Sequence, residues 1–215
     1  MIETLDIAGN PFVGIFGFST EKVTLIRPDI GKRKRILEEA LKTTVVETTM
    51  ARTDLVGLFA CGNSHGIAVP YFVEKEEMKL IEDIPVIRFM QKYTALANLI
   101  LVNDFGCVAS PLIERKALED AFGVPVEHAT IAGFRNMGAV AFATNKVVYL
   151  HPEASEEEMQ FISEMLHVPC GKATANMGIP YLRSCMLGNS HGLLVGSWTT
   201  GIEMNNLEDV LEVIV

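Results

Sequence analysis

One shape recurs five times along this chain: an apolar run, a tight polar turn, a second short apolar run and a proline. The copies are Pro11–Pro28, Asp54–Pro70, Asn98–Pro111, Gly138–Pro152 and Arg183–Gly196, with Gly196 in the proline place. Registered on that place (28, 70, 111, 152, 196), the steps are 42, 41, 41 and 44 residues. The turn GNSHG at Gly62–Gly66 returns letter for letter at Gly188–Gly192. A near-constant step over the whole chain is the signature of a repeat architecture, in which each unit buries its apolar face against its neighbours.

Each proline place is followed by a helix signal. Ser155 with Glu158, and Thr200 with Glu203, have the spacing of a capping box. Apolar residues then recur at helical spacing: Ile36/Leu37/Ala40/Leu41, Met78/Ile81, Leu118/Ala121/Phe122, Met159/Ile162/Met165/Leu166 and Leu207/Val210/Leu211/Ile214. Extended runs follow the first four helices, over Thr44–Ala51, Ile84–Gln91, Val124–Ala132 and Val168–Asn176. Pro85, Pro125 and Pro169 stand at or near their starts, where a strand tolerates proline. Gly14, Gly57 and Gly138 recur early in the first strand of a unit, which predicts close backbone approach near the axis.

The unit is therefore ββαβ, an α/β class. The fifth copy ends after its helix, and Ile2–Gly9 resembles Val126–Gly133, with Glu3 matching Glu127. The N-terminal strand is thus expected to complete the fifth unit and close a five-unit ring, which needs no capping repeats. The expected organisation is a single domain over 1–215. Its repeats run approximately 10–52, 53–93, 94–133, 134–177 and 178–215, the last completed by 1–9. With no long strand edge left open, the expected state is a monomer.

Net charge of −9 argues against broad phosphate binding and against a ring that slides on nucleic acid, since both need a basic surface. The exception is Lys32–Arg35, KRKR, at the start of the first helix. It reads either as a solvated helix start or as a nucleic-acid contact; cations there oppose the helix dipole. No apolar run reaches about 18 residues, so no membrane span is expected. The first residues lack the basic start and apolar centre of a signal peptide. Four cysteines without CxxC pairing fit reduced thiols in a cytoplasmic protein.

His65 and His191 occupy the two GNSHG turns, where histidine reads as turn structure or as a base or ligand. His128, His151 and His167 have no metal-binding spacing, and no metal or other cofactor is expected. Cys61 and Cys185 precede those histidines by four and six residues, the spacing that leaves a cysteine nucleophile as an alternative. No phosphate-binding glycine loop appears. The polar loops entering the first strands remain: Asn10, Arg52, Asn98, Arg135, Asn136 and Tyr181 lie on them, in loops expected to share one face. They read as a docking surface or as ordinary turn residues.

Gly62–Pro70 (GNSHGIAVP), Thr94–Asp104 (TALANLILVND), Glu127–Gly133 (EHATIAG), Leu150–Pro152 and Leu166–Pro169 resemble the translation initiation factor 6 family, archaeal branch, over essentially the full length. That resemblance implies a pentein fold, a ring of five ββαβ units with pseudo-fivefold symmetry, and no enzymatic activity. It implies a ribosome anti-association factor. The family binds the joining face of the large ribosomal subunit, mainly an L14-type protein near the sarcin–ricin loop and an L24e-type protein, with a minor rRNA contact, and keeps the small subunit away. It also implies a role in large-subunit maturation or translation initiation. Thr94–Asn98 matches the family's contact segment, so Asn98 inherits a subunit-contact role. Leu58 and Ser64 stand where eukaryotic members carry basic residues, leaving Arg52 as the nearest cation. The alternative within the same fold is a guanidine-modifying enzyme with a cysteine nucleophile.

Overall fold

A computed structural model describes residues 2–82 and 84–212. The chain opens with β1 (Ile2–Leu5) and one helical turn, α1 (Val13–Phe16). Then come β2 (Gly17–Ser19), β3 (Val23–Ile26), α2 (Arg33–Leu41) and β4 (Thr44–Glu47). The pattern repeats with α3 (Val56–Phe59), β5 (Cys61–Gly62), β6 (Ile67–Pro70), α4 (Lys75–Met78) and β7 (Val86–Phe89). A 3-10 turn at Leu96–Asn98 precedes β8 (Ile100–Val102), β9 (Cys107–Ala109), α5 (Arg115–Phe122) and β10 (Val126–His128). Next are β11 (Ala141–Ala143), β12 (Val148–Leu150), α6 (Glu156–Leu166) and β13 (Cys170–Lys172). Last are α7 (Leu182–Cys185), β14 (Met186–Gly188), β15 (Leu193–Gly196) and α8 (Gly201–Glu212).

These strands form five three-stranded sheets of one plan. Two strands make an antiparallel hairpin, and a third, returning after a helix, runs parallel to the hairpin's second strand. The fifth sheet takes its third strand from the other end of the chain: β1 lies parallel to β15, with Ile2 opposite Leu193 and Leu5 opposite Gly196. Pro85, Pro125 and Pro169 sit one residue before β7 and β10 or just before β13. There their carbonyls accept from Ile67, Cys107 and Val148, so the missing N–H costs the ladder nothing.

The core lies in the joints between sheets. Each of five buried apolar clusters combines two consecutive sheets. Leu25 and Met50 pack with Val56 and Ile67, for example, and Leu101 and Val108 with Val140 and Leu166. The last cluster joins Leu187 and Leu194 of the fifth sheet to Val13, Ile26 and Leu37 of the first. Central strands such as β6 and β12 are buried along their whole length, which is why they read as continuous apolar runs.

Buried asparagines lock three of these joints. Asn63 Oδ1 accepts from the N–H groups of His65 and Gly66, closing its own hairpin. Its Nδ2 donates to the carbonyls of Asn103 (3.1 Å) and Phe122 (3.0 Å) in the next sheet and helix. Asn103 does the same to Thr144 and Leu166, and Asn189 to Thr20 and Leu41. Thr20 and Thr144 hold the equivalent places in the other two hairpins; their hydroxyls close their own turns onto Val23 and Val147. Lys22 Nζ bridges the first of those joints, donating to Ser64 O at 2.8 Å. The second leaves a cleft of about 320 Å³ lined by Lys146, Val147, His191 and Leu211, among others.

Several sequence expectations shift. Gly14 and Gly57 lie in the one-turn helices α1 and α3, and Gly138 in a turn, ahead of the first strand. A short apolar run does not distinguish strand from buried helical turn, and here the chain coils where neighbouring backbones meet. A Cβ on Gly14 would lie 1.8 Å from Arg183 O, on Gly57 1.9 Å from Gly14 O, and on Gly138 2.3 Å from Ala97 O. The extended runs after the helices yield only three or four strand residues each, because their ends bend into tight turns. Ile36, expected on the buried face of α2, is 39% exposed. α4 is a single turn, with buried Ile81 beyond it, and Ile214 lies outside the described residues.

Two glycine substitutions separate contact from conformation. Gly57→Ala drives a methyl into a neighbouring carbonyl and is expected to cost about 3 kcal/mol or more. Gly9→Ala meets nothing within 4 Å but must keep φ +74, and is expected to cost about 1–2 kcal/mol. Thermal or urea unfolding of both variants checks the ordering.

Candidate docking face

After the third strand of a sheet the chain reverses in a tight turn before the next unit. Bridges Ile7–Asn10, Met50–Thr53 and Ile131–Phe134 each enclose two residues with positive φ. The pairs are Ala8/Gly9, Ala51/Arg52 and Ala132/Gly133; Asn176, Met177 and Gly178 form a longer version. Two left-handed residues in succession make a type I′ turn, which suits glycine at its second position. Arg52, at φ 59, stands where Gly9 and Gly133 stand in the sister turns. A side chain there costs about 1–2 kcal/mol of backbone preference.

The compensation comes from the following helix. Glu77, buried at the start of α4, accepts from Ala51 N (3.0 Å), Arg52 N (2.8 Å), Glu74 N and Thr49 Oγ1. Glu158 takes the same place for Ala132 and Ser155, and Glu203 for Met177, Gly178, Thr174 and Thr200. The capping-box glutamates thus also pin the turns. Burial alone would raise the pKa of Glu77 and Glu203, but the converging donors outweigh it and hold both below the usual carboxylate value. A depressed folded pKa means stability that is present above the unfolded value and lost as pH falls through the folded one. Glu203→Ala is therefore expected to lower Tm more at pH 7 than at pH 3, as measured by scanning calorimetry.

The same latches place the helix N-termini, the tight turns and the short helical segments at one end of the sheets. The short segments touch in succession. Gly14 lies against Arg183, Gly57 against Gly14, α3 against the 3-10 turn, Gly138 against Ala97, and Arg183 N donates to Ala139 O at 3.3 Å. This succession runs through all five units and returns to the first.

The polar loop residues singled out from sequence as docking contacts lie at this end. Arg52 is exposed and paired with Glu74 at 2.7 Å; Arg135 is exposed; Thr94, Asn98 and Asn136 are half-buried. Asn10 differs, because its Oδ1 accepts from Phe12 N at 2.9 Å and so serves its own turn. Sequence reasoning named Tyr181 but missed most of the apolar residues beside it. Met90 (81% exposed), Ile202 (76%), Met177 (72%), Trp198 (54%), Tyr71 and Tyr93 all stand in segments at this end. Their polar neighbours hid them, since each is an isolated residue in a loop or a helix start. Exposed apolar side chains at one end are the kind of feature an interaction surface uses.

The opposite end carries the hairpin turns. His65 Nδ1 lies 3.2 Å from Phe122 O, and His191 Nε2 lies 3.9 Å from Glu21 Oε2. Ser64 donates to Asp104, and Ser190 to Glu21, so these turns tie neighbouring sheets together. The two GNSHG turns do not converge on a reaction centre. Residues of all five units line two small central cavities of about 20 Å³ each, each with room for about one water. Cys61 is fully buried and its thiol is pushed up to about 12 by burial; Cys107 is driven the same way. Burial raises Cys185 too, and none of the three is a ready thiolate. No metal-holding group of His, Cys, Asp or Glu occurs among the described residues. No helix of the described residues is long and apolar enough to cross a membrane.

The eIF-6 family model matches residues 2–210. Translation initiation factor 6 of Pyrococcus abyssi is 39% identical over 225 aligned positions, covering 99% of each chain. The proteins of that name from Pyrococcus furiosus and Methanosarcina mazei are 41% and 35% identical, each over 98% of both chains. The chain belongs to the eIF-6 family, whose curated archaeal relatives are named translation initiation factors, and it is not an enzyme.

The buried thiols carry a direct expectation. A thiol reagent at pH 8 labels Cys61, Cys107 and Cys185 only on the timescale of unfolding. Rapid labelling of one of them in the folded protein would contradict the burial described above.

Proposed function

We propose that this protein is a ribosome anti-association factor built as a pentein: five ββαβ units in a closed ring with pseudo-fivefold symmetry, forming one domain over 1–215. It binds the joining face of the large ribosomal subunit with its turn end and keeps the small subunit away by occupying that space. It acts in the cytoplasm, as a monomer, in translation initiation or large-subunit maturation, without a cofactor. The observation that carries this reading is the turn end itself. It carries exposed apolar side chains, an arginine held in an unfavourable backbone conformation, and half-buried amides, on a chain of a translation factor family. Exclusion by a bound body needs no chemistry; an interface of roughly 1,200–2,000 Å² suffices for specific binding.

Asn98, Arg52, Thr94, Arg135 and Asn136 are the polar contacts proposed; Asn10, engaged in its own turn, contributes shape. The partner surface is mainly protein, of the L14 and L24e types near the sarcin–ricin loop. The net charge of −9 suits a basic protein.

The experiment is co-sedimentation with purified archaeal large subunits, followed by addition of small subunits. The protein is expected to travel with the large subunit and to reduce joining. If it remains at the top of the gradient at low salt, the reading fails. Trp198, the single tryptophan, reports the face used: its emission is expected to shift to the blue on docking. Asn98→Ala is expected to weaken binding about tenfold or more with little change in Tm.

A further inference from the structure

We propose that the start of α2, Lys32–Arg35, is an RNA-contact arm of this protein, meeting phosphates of the ribosomal RNA beside the protein-docking face. The inference rests on the docking reading above and assigns specific residues of this chain to its RNA side.

Four consecutive cations occupy the first positions of a helix whose N-terminus already carries partial positive charge. No acidic residue lies in that first turn and no side chain caps it. α4, α6 and α8 each carry glutamate in their first turns. The arrangement therefore works against the stability of α2. Among the described residues one ion pair offsets it, Arg35 with Glu39 at 2.7 Å, and both partners are strongly exposed. Lys32 and Arg33 are exposed outright, and Ile36 beside them faces solvent although helical spacing would bury it.

The surroundings are not uniformly basic. Asp29 precedes the run, Glu38 and Glu39 follow it on α2, and Glu47 accepts from Asp29 N at 2.9 Å. The last contact is informative about position, because it sets the lead-in to α2 against the end of β4. Arg27 binds Asp54 at 3.0 Å across the same gap. The start of α2 thus lies, like the starts of α4, α6 and α8, at the turn end of the sheets, at the margin of the docking face.

Four successive helical residues spread their side chains around the helix end and do not form one stripe. That suits a polyanion, which answers to summed field and needs no single register. An acidic protein surface would favour cations along one helix face. Two of the four are arginines, whose planar fork grips phosphate. On a chain of net charge −9, this run is a local reversal of sign.

The test compares three proteins in binding to purified large subunits across a salt series. They are the wild type, Lys32→Gln/Arg33→Gln/Lys34→Gln, and a control with the same charge change elsewhere, Lys42→Gln/Lys79→Gln/Lys172→Gln. Each phosphate contact contributes roughly 0.7–0.9 to the slope of log affinity against log salt. The first triple variant is expected to bind about tenfold or more weaker at low salt, with a slope shallower by about 2. The control is expected to match the wild type in slope. The first variant should also melt at the same temperature or higher, because its changes relieve repulsion at the helix start.

An unchanged slope and affinity in the first variant would overturn the RNA contact and leave the docking reading standing. Equal losses in both triple variants would overturn it as well, assigning the effect to net charge. A loss of affinity at constant slope would show that the lost contact is not an electrostatic one with phosphate and would also overturn it. A wild type that fails to bind subunits at any salt would overturn the docking reading and this inference together.

Discussion

Everything in this molecule depends on how closely neighbouring backbones approach where the units meet. Gly14, Gly57 and Gly138 stand where a single methyl group would overlap a carbonyl oxygen of the preceding unit. At the other end Gly66, Gly106 and Gly192 stand against the carbonyls of Ala121, Met165 and Ala40 at the ends of neighbouring helices. Sheets of three short strands are too small to be stable alone. They become stable because that approach lets each share an apolar cluster with the next, and because buried asparagines tie the freed carbonyls.

The departures from repetition carry as much information as the repeats. Asparagine followed three residues later by glycine spans a joint and lets a helix end pack close. Threonine followed by valine closes only its own turn. At one of the two threonine joints a lysine bridges the gap; at the other a cleft remains. The turn end shows a parallel division of labour. Glutamates at the starts of α4, α6 and α8 hold turns in place, while α2 begins with cations and gives up that latch. Lys32 and Arg33, which carry no such latch, stand exposed at that helix start.

The axis explains why the fold does not serve here as a reaction vessel. Residues from all five units close on two spaces of about 20 Å³ each, and their polar groups are spent on one another. Arg183 lines the second such space, donating to Ala60 O at 3.1 Å and lying over the Phe18 ring. The cysteines that a sequence reading must weigh as nucleophiles continue apolar strands and stay protonated.

The amino-acid sequence by itself determined the five-copy period, the ββαβ order, the capping boxes of α6 and α8 and the return of the N-terminal strand to β15. Each of these is written in local spacing: a step of about 42 residues, a serine three before a glutamate, a strand lacking its partner. The loops that carry Asn98, Arg52 and Arg135 were legible for the same reason. Only the tertiary structure decided that Gly14 and Gly57 sit in helical turns, because the reason is a neighbour's carbonyl and not the local sequence. It alone gathered Met90, Met177, Trp198 and Ile202 at one end, residues spread over more than a hundred positions that no periodicity links. It alone showed that Asn10 is spent on its own turn and that the turns of His65 and His191 tie neighbouring units through Ser64 and Ser190. Period and pattern are properties of the chain; which side chains remain unspent, and beside what, depends on contacts made only when distant segments meet.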